Sequence, residues 1–270
     1  MNSSGLPANL RVVSALPDTH AGFSVSNLEL MAALSRAEDA HFWHRCRNRF
    51  IARRLRGLGS TPPASILELG CGGGCVTAFL SRAGWRVTGV EGHLSRARQA
   101  ADRAPDAAIV VHDLRLGLEP LGDERWDAVA FFDVIEHLED PISVLTTALG
   151  RVMPGGLLVG TVPALMSLWS DVDVRSGHRV RYERSVLLDL LRALPGSDVL
   201  EVIPFNRILV PLLWLQRRAS ADALEQGLKV PWAPFNTLFQ MALSLDHRVG
   251  PLLNRAGIPG ASLWFAVRVR

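Results

Sequence analysis

Ile66-Leu67-Glu68-Leu69-Gly70-Cys71-Gly72-Gly73-Gly74-Cys75 is the stretch that decides the fold of this 270-residue chain. Ala64 to Leu69 reads as a buried strand, apolar except for Glu68 at its carboxyl end. A glycine-rich turn follows, and then a helix from Val76 to Ala83. Glycines at 70, 72 and 74 let the backbone turn tightly and approach a ligand with no Cβ in the way. Open α/β sheets bind their ligands outside the carboxyl ends of the strands, near such turns. The dinucleotide fingerprint Gly-x-Gly-x-x-Gly fails here, because the third glycine position counted from Gly70 is Cys75. The pattern present is Glu-x-Gly-x-Gly-x-Gly.

Downstream, strands and helices alternate. Arg86 to Glu91 reads as a second strand ending on an acid, with a helix from Leu94 to Arg103. Ala107 to Val111 is a third strand, followed by His112-Asp113-Leu114. Trp126 to Asp133 is a fourth, almost wholly apolar, as a central parallel strand buried on both faces should be. Asp140-Pro141 reads as an N-cap with proline at the first helical position. Met153-Pro154-Gly155-Gly156 is a turn, and Leu157 to Val162 is a fifth strand stopped by Pro163. Five such strands alternating with helices imply a parallel, doubly wound sheet. A helix from Ser185 to Leu194 with Val186, Leu187, Leu190, Leu191 and Leu194 on one face, a sixth strand at Val199 to Ile203, and a seventh at Ser262 to Val269, antiparallel at the sheet edge or beside it, complete it.

Composition sets outer bounds. The chain is 48% hydrophobic and 20% charged, which suits a packed domain and excludes global disorder. The formal net charge is +3, and Lys229 is the only lysine, so arginine carries the positive charge. Cys46, Cys71 and Cys75 form no disulfide framework. No basic segment followed by an apolar core opens the chain, and the most apolar run, Ile208 to Leu215, is far below the ~20 residues of a spanning helix. A cytoplasmic protein is expected.

Taken together, Ile66 to Gly74, Val90-Glu91, His112-Asp113, Phe132 to Leu138 and Met153 to Gly156 resemble the class I S-adenosylmethionine-dependent methyltransferases over about residues 40 to 205. The likeness is to the small-molecule branch of types 11 and 23, which includes the ubiquinone-pathway O-methyltransferases. His41-Phe42-Trp43-His44-Arg45-Cys46-Arg47 and Gly177-His178-Arg179-Val180-Arg181-Tyr182 resemble the type 23 group. The expected fold is α/β: a doubly wound, mostly parallel seven-stranded Rossmann-like sheet with helical additions. Its expected parts are a flexible arm (1–25), an amino-terminal helical cap (26–60), the cofactor-binding core (61–204), a helical insert acting as acceptor lid (205–261), and a final edge strand (262–270).

The resemblance implies S-adenosylmethionine as cofactor and a role for each matching position. Gly70, Gly72 and Gly74 line the methionine and ribose portions, and Glu68 lies near the methionine amino group. Glu91 takes the ribose hydroxyls, a task suited to an acceptor-only carboxylate. Asp113 takes the adenine amino group, with Gly92 and Leu114 beside the ring. Asp133, or the backbone beside it, faces the methionine end. Trp43 and Arg47 close over the cofactor, Arg47 toward its carboxylate. Gly92-His93 departs from the family pattern, in which an apolar residue often packs on adenine, so the pocket is looser there or the stacking passes to Leu114.

The sulfonium is already a potent methyl donor, so the protein must orient an acceptor and, for a hydroxyl, supply a base. His137, after the fourth strand, and His178, after the fifth, are the candidate catalytic bases. The setting of His178 among Arg175, Arg179, Arg181 and Tyr182 suggests an anionic acceptor. Asp133, Glu136 and His137 offer oxygen and nitrogen ligands, but their spacing defines no metal site and none is expected. The partner expected is a small-molecule acceptor. No Pro-Pro-Tyr-like tetrad follows the fourth strand and no aromatic-studded basic patch appears, so no nucleic acid is expected. The insert joins Ile208 to Leu215 and Pro231 to Phe235 with Arg217-Arg218, an arginine-flanked apolar surface suited to a membrane face or a lipid-like acceptor. O-methylation is the expected reaction; N- or C-methylation and a non-catalytic, cofactor-binding scaffold are the alternatives.

Overall fold

The computed structural model describes residues 6–16, 38–219 and 230–270. Its strands are β1 (Leu10–Val12), β2 (Ser65–Leu69), β3 (Arg86–Glu91), β4 (Ala108–Val111), β5 (Trp126–Phe132), β6 (Val152–Pro163), β7 (Ser197–Phe205) and β8 (Ser262–Val269). Its helices are α1 (Phe42–Gly57), α2 (Cys75–Arg82), α3 (Leu94–Arg103), α4 (Pro141–Leu149), α5 (Asp171–Arg175), α6 (Arg184–Arg192), α7 (Leu209–Ala219) and α8 (Ala233–Arg255). The strands form one sheet in the order β1-β4-β3-β2-β5-β6-β8-β7. Every pair from β1 to β6 is parallel, and β8 is antiparallel to both its neighbours. From β2 the chain winds outward through β3 and β4, then returns to β5 on the other side. The carboxyl ends of β2 and β5 are therefore the switch point at which such sheets bind ligands.

Period-two alternation places the core on both faces of the sheet. Ile66, Ala128, Ala130 and Val159 face Phe50, Ile51 and Leu55 of α1, Leu80 of α2, and Ala97 and Ala100 of α3. Leu67, Val129, Phe131 and Leu158 face Leu145 and Ala148 of α4 and Leu187 and Leu191 of α6. Val186, expected on the buried face of α6, is exposed. Met153 to Gly156 is an excursion inside β6: Val152 pairs with Trp126, and pairing resumes at Leu157 with Ala128.

Two expectations change. Part of the arm is ordered as β1, which pairs with the outer edge of β4 and makes eight strands instead of seven. The last strand, β8, is not the edge; it lies between β6 and β7, and β7 is the edge. The burial patterns account for this, since Ser262 to Val267 are all buried whereas β7 alternates between buried, half-buried and exposed. The insert packs first on α1. Phe42 stacks on Phe239 with ring centroids 5.0 Å apart, and its backbone N–H donates to Asn236 Oδ1 at 2.8 Å. Phe42, Cys46, Leu168, Leu209, Leu243 and Ala261 form a separate apolar cluster joining α1, the insert and the segment after β6. The parts of the cap, arm and insert read at 17–37 and 220–229, including Lys229, lie outside the described residues.

Candidate functional site

The β2 strand delivers Glu68 and the glycine loop to the switch point. Gly70 has φ +75°, and a Cβ there would stand 2.7 Å from Val134 after β5. Only glycine lets these two loops close together. Gly74 has φ +77° and would meet Ala100 of α3 at 2.8 Å, so packing of α2 on α3 requires that glycine as well. Glu68 is buried and accepts from Thr77 Oγ1 at 2.6 Å. Burial pushes its carboxyl up to about 7, against the pull of Thr77 and Arg47.

Glu91, at the end of β3, accepts from the Gly72 N–H at 2.9 Å. Its other oxygen meets the His93 N–H at 3.0 Å and His93 Nδ1 at 3.1 Å. Burial opposes its charge, but the hydrogen bonds from His93 and the nearby Arg96 hold the carboxyl below its ordinary range. One loop of β2 and the acid of β3 are thus fixed to each other. Asp113, after β4, grips Arg115 through both carboxylate oxygens, at 2.9 to 3.1 Å. Burial again opposes its charge, and the Arg115 hydrogen bonds outweigh it. His112 Nε2 faces the Gly117 carbonyl at 2.7 Å, so that nitrogen carries the proton; Nδ1 accepts from Ser14 Oγ at 2.9 Å.

At the methionine end, Asp133 takes a left-handed backbone, φ +57°. Its carboxylate is ion-paired with Arg47 of α1 and accepts from Thr161 Oγ1 at 3.1 Å. The Arg47 guanidinium lies 4.7 Å from the centre of the Trp43 ring. Arg47 is buried; desolvation lowers its pKa, but Asp133 and neighbouring acids outweigh that and raise it. Its Nε has no hydrogen-bond partner among the described residues. An orphaned buried donor on an arginine paired with Asp133 and in the field of Glu68 fits the carboxylate of an amino acid, and the two acids fit its ammonium and sulfonium charges. The residues present therefore suit S-adenosylmethionine.

The second cluster lies beyond β5 and β6. The Asp173 side chain is fully buried in α5. It accepts from His178 Nδ1 at 2.9 Å, from Arg181 Nε at 2.8 Å, and from the Ser170 N–H at 3.0 Å. With Nδ1–H given to a carboxylate, the Nε2 lone pair of His178 is the basic one. The His178 and His137 rings are 4.9 Å apart. His137 Nδ1 donates to the Gly177 carbonyl at 3.1 Å, and desolvation together with His178 lowers its pKa. Beside them lies Glu136, fully buried, with neither carboxyl oxygen hydrogen-bonded among the described residues. Burial and Asp133 push its carboxyl well up. Glu136, His137 and His178 present one ligand atom each within 4.8 Å of one another, a set that a divalent cation could occupy. Asp133, the third ligand weighed from sequence, is instead committed to Arg47 and Thr161.

The structure thus gathers Trp43, Arg47, Glu68, Gly70, Gly72, Glu91 and Asp133 around the switch point, with Gly92, Asp113 and Leu114 at the ends of β3 and β4. It pairs His137 with His178. Sequence reading missed Thr77, Thr161 and Asp173. Only Asp173 had a signal, the Ser170-x-x-Asp173 spacing of a capping box, which the structure realises.

A doubly wound sheet with this acid-and-glycine ladder defines a class I S-adenosylmethionine-dependent methyltransferase. The methyltransferase domain family matches residues 42–195, more than half of the chain, and the chain belongs to it. It is 30% identical over 163 residues to a ubiquinone biosynthesis O-methyltransferase of Ruegeria pomeroyi, covering 54% of this chain and 65% of that protein. A protein of the same name from Methylobacterium sp. is 36% identical over 104 residues, covering 37% and 42%. The chain spans less than two thirds of the length of either relative. Among solved structures, the [4+2]-cyclase SpnF superposes with a TM-score of 0.61 at 17% identity, over 96% of this chain and 98% of that one. Geranyl diphosphate C-methyltransferase from Streptomyces coelicolor A3(2), solved with Mg2+ and S-adenosylhomocysteine, gives 0.53 at 16%, over 81% and 75%. A cyclase on this fold illustrates that the fold alone does not set the reaction.

Proposed function

We propose that this chain methylates a hydroxyl group of a small molecule with an apolar body, His178 acting as the base. The observation that carries the reading is the His178–Asp173 pair: a buried carboxylate fixes the tautomer that leaves Nε2 free to accept a proton. S-adenosylmethionine supplies an electrophilic methyl group on a sulfonium. Arg47, Asp133 and Glu68 hold its amino-acid end, and Glu91 and Asp113 its adenosine. His178 Nε2 accepts the acceptor's hydroxyl proton, Asp173 stabilises the imidazolium that forms, and Arg181 fixes Asp173. The likeness to ubiquinone biosynthesis O-methyltransferases supports an oxygen acceptor.

An apolar acceptor is supported by α8. Leu243 and Gly250 are buried on one side, while Phe235, Leu238, Met241, Leu245 and Leu252 are exposed. The helix's one acid, Asp246, is buried against Arg207, whereas Arg45, Arg49 and Arg53 of neighbouring α1 are exposed. An apolar stripe beside exposed arginines suits contact with an anionic membrane surface from which a lipid-like acceptor could be drawn. Among the described residues no helix is long and apolar enough to cross a membrane. Cys46, Cys71 and Cys75 are all free, which fits a cytoplasmic setting.

The test is mass spectrometry of the protein incubated with S-adenosylmethionine and a panel of hydroxyaryl compounds bearing apolar tails. Methyl addition on oxygen, lost in His178→Ala, is expected. Methylation only of amines or carbon acids, or unchanged turnover in His178→Ala, would overturn the reading.

A further inference from the structure

Residues 10–16 lie before the matched region and run across the carboxyl ends of β4 and β3, the two strands whose acids face adenosine. Leu10, Arg11 and Val12 pair with Ile109, Val110 and Val111. The Val13 and Ser14 N–H groups both donate to the Val111 carbonyl, at 2.9 and 3.1 Å. Ser14 Oγ donates to His112 Nδ1 and accepts from the Asp113 N–H at 3.1 Å, so the arm anchors the loop that carries Asp113. The Leu16 N–H donates to the Gly92 carbonyl at 2.8 Å, which ties the arm to the residue after Glu91.

Gly92 has no left-handed backbone to explain its lack of a side chain. Its reason is Leu16: a Cβ at position 92 would stand 2.7 Å from Leu16 Cδ1 and 3.3 Å from Cγ. The isobutyl group of Leu16 therefore fills the space into which a side chain at 92 would project. A purine face is apolar and needs an apolar wall, and the loop after Glu91 supplies none of its own: Gly92 has no side chain and His93 is turned onto Glu91.

We propose that Leu16 is the wall on which the adenine ring of the cofactor packs, a contact supplied by the amino-terminal arm in place of a side chain at position 92. The proposal rests on the cofactor placement given above.

Calorimetric titration of the full-length chain with S-adenosylhomocysteine and with adenosine tests it. Leu16→Ala should weaken both ligands by the same factor, about tenfold, because the lost contact is to the purine. Leu16→Met, which conserves volume, should bind like the wild type. Gly92→Val alone should weaken binding by displacing Leu16, and Leu16→Ala/Gly92→Val should recover affinity to within about threefold of the wild type. A Leu16→Ala protein that melts at the wild-type temperature and binds as well as or better than the wild type would overturn the proposal. Purely additive losses in the double variant would do the same. Failure of the wild type itself to bind S-adenosylhomocysteine would remove the cofactor placement along with it.

Discussion

Glu91→Ala should weaken S-adenosylhomocysteine binding by about two to four orders of magnitude. A carboxylate offers about four acceptor sites. In Glu91 three are used, by the Gly72 N–H, the His93 N–H and His93 Nδ1. The two ribose hydroxyls take the free site and the one His93 Nδ1 can vacate by rotating. Hydrogen bonds to a charged acceptor contribute roughly 1.5–3 kcal/mol each, so the pair amounts to about 3–6 kcal/mol, and each 1.4 kcal/mol is tenfold in Kd. Loss of the tie to Gly72 adds to the effect by loosening the glycine loop. The hydrogen bonds from His93 hold the Glu91 carboxyl below its ordinary range, so its charge is retained and this group should leave Kd flat from about pH 5 upward. The assay is titration calorimetry on wild type, Glu91→Ala, Glu91→Gln and His178→Ala. The His178 variant should stay within about twofold of wild type, since the role proposed for His178 is toward the acceptor. Glu91→Ala binding within threefold of wild type would refute the ribose assignment.

Other expectations follow from the same geometry. Asp173→Asn should cut turnover by about two orders of magnitude with cofactor Kd unchanged, because it upsets the His178 tautomer; a shift in Kd alone would mark a structural role. Glu68 keeps its proton to about pH 7 when folded but loses it near 4.5 when unfolded. Its contribution to stability is therefore full below pH 4.5 and is lost by about pH 7, on the order of 3 kcal/mol, and Glu68→Gln should flatten that slope in urea titrations across pH 4.5–7. If His178 is a free base, dialysis against a chelator should preserve turnover and Zn2+ should inhibit by engaging His137 and His178; a strict divalent-ion requirement that disappears in His178→Ala would replace the base with a metal site. Leu238→Ser/Met241→Ser should change stability by less than about 0.5 kcal/mol, since both side chains are exposed. The same variant should lose flotation with phosphatidylglycerol vesicles, and undiminished flotation would remove the membrane contact.

Much of the core was legible from sequence because its signals are local. The β2 strand and glycine loop sit in ten consecutive residues, and β5 carries the continuous apolar run that only a strand buried on both faces needs. Strand β1 escaped because three residues in a Ser- and Pro-rich arm carry no periodicity; what orders them is pairing with β4, about a hundred residues away. The interior place of β8 was written in its unbroken burial against the alternation of β7, but strand order is a property of the sheet and not of either strand alone.

The alternation of elements, the glycine turn, and the acids at the ends of β2, β3, β4 and β5 follow from residue order alone, because these depend on side-chain period and on the chemistry of single residues. Only the tertiary structure decided which groups meet. It set Arg47 on Asp133, Asp173 behind His178, Glu136 in the interior beside His137 and His178, and Leu16 over Gly92. These relations depend on chain closure over long separations, and on burial that strengthens each paired charge while making each unpaired one costly.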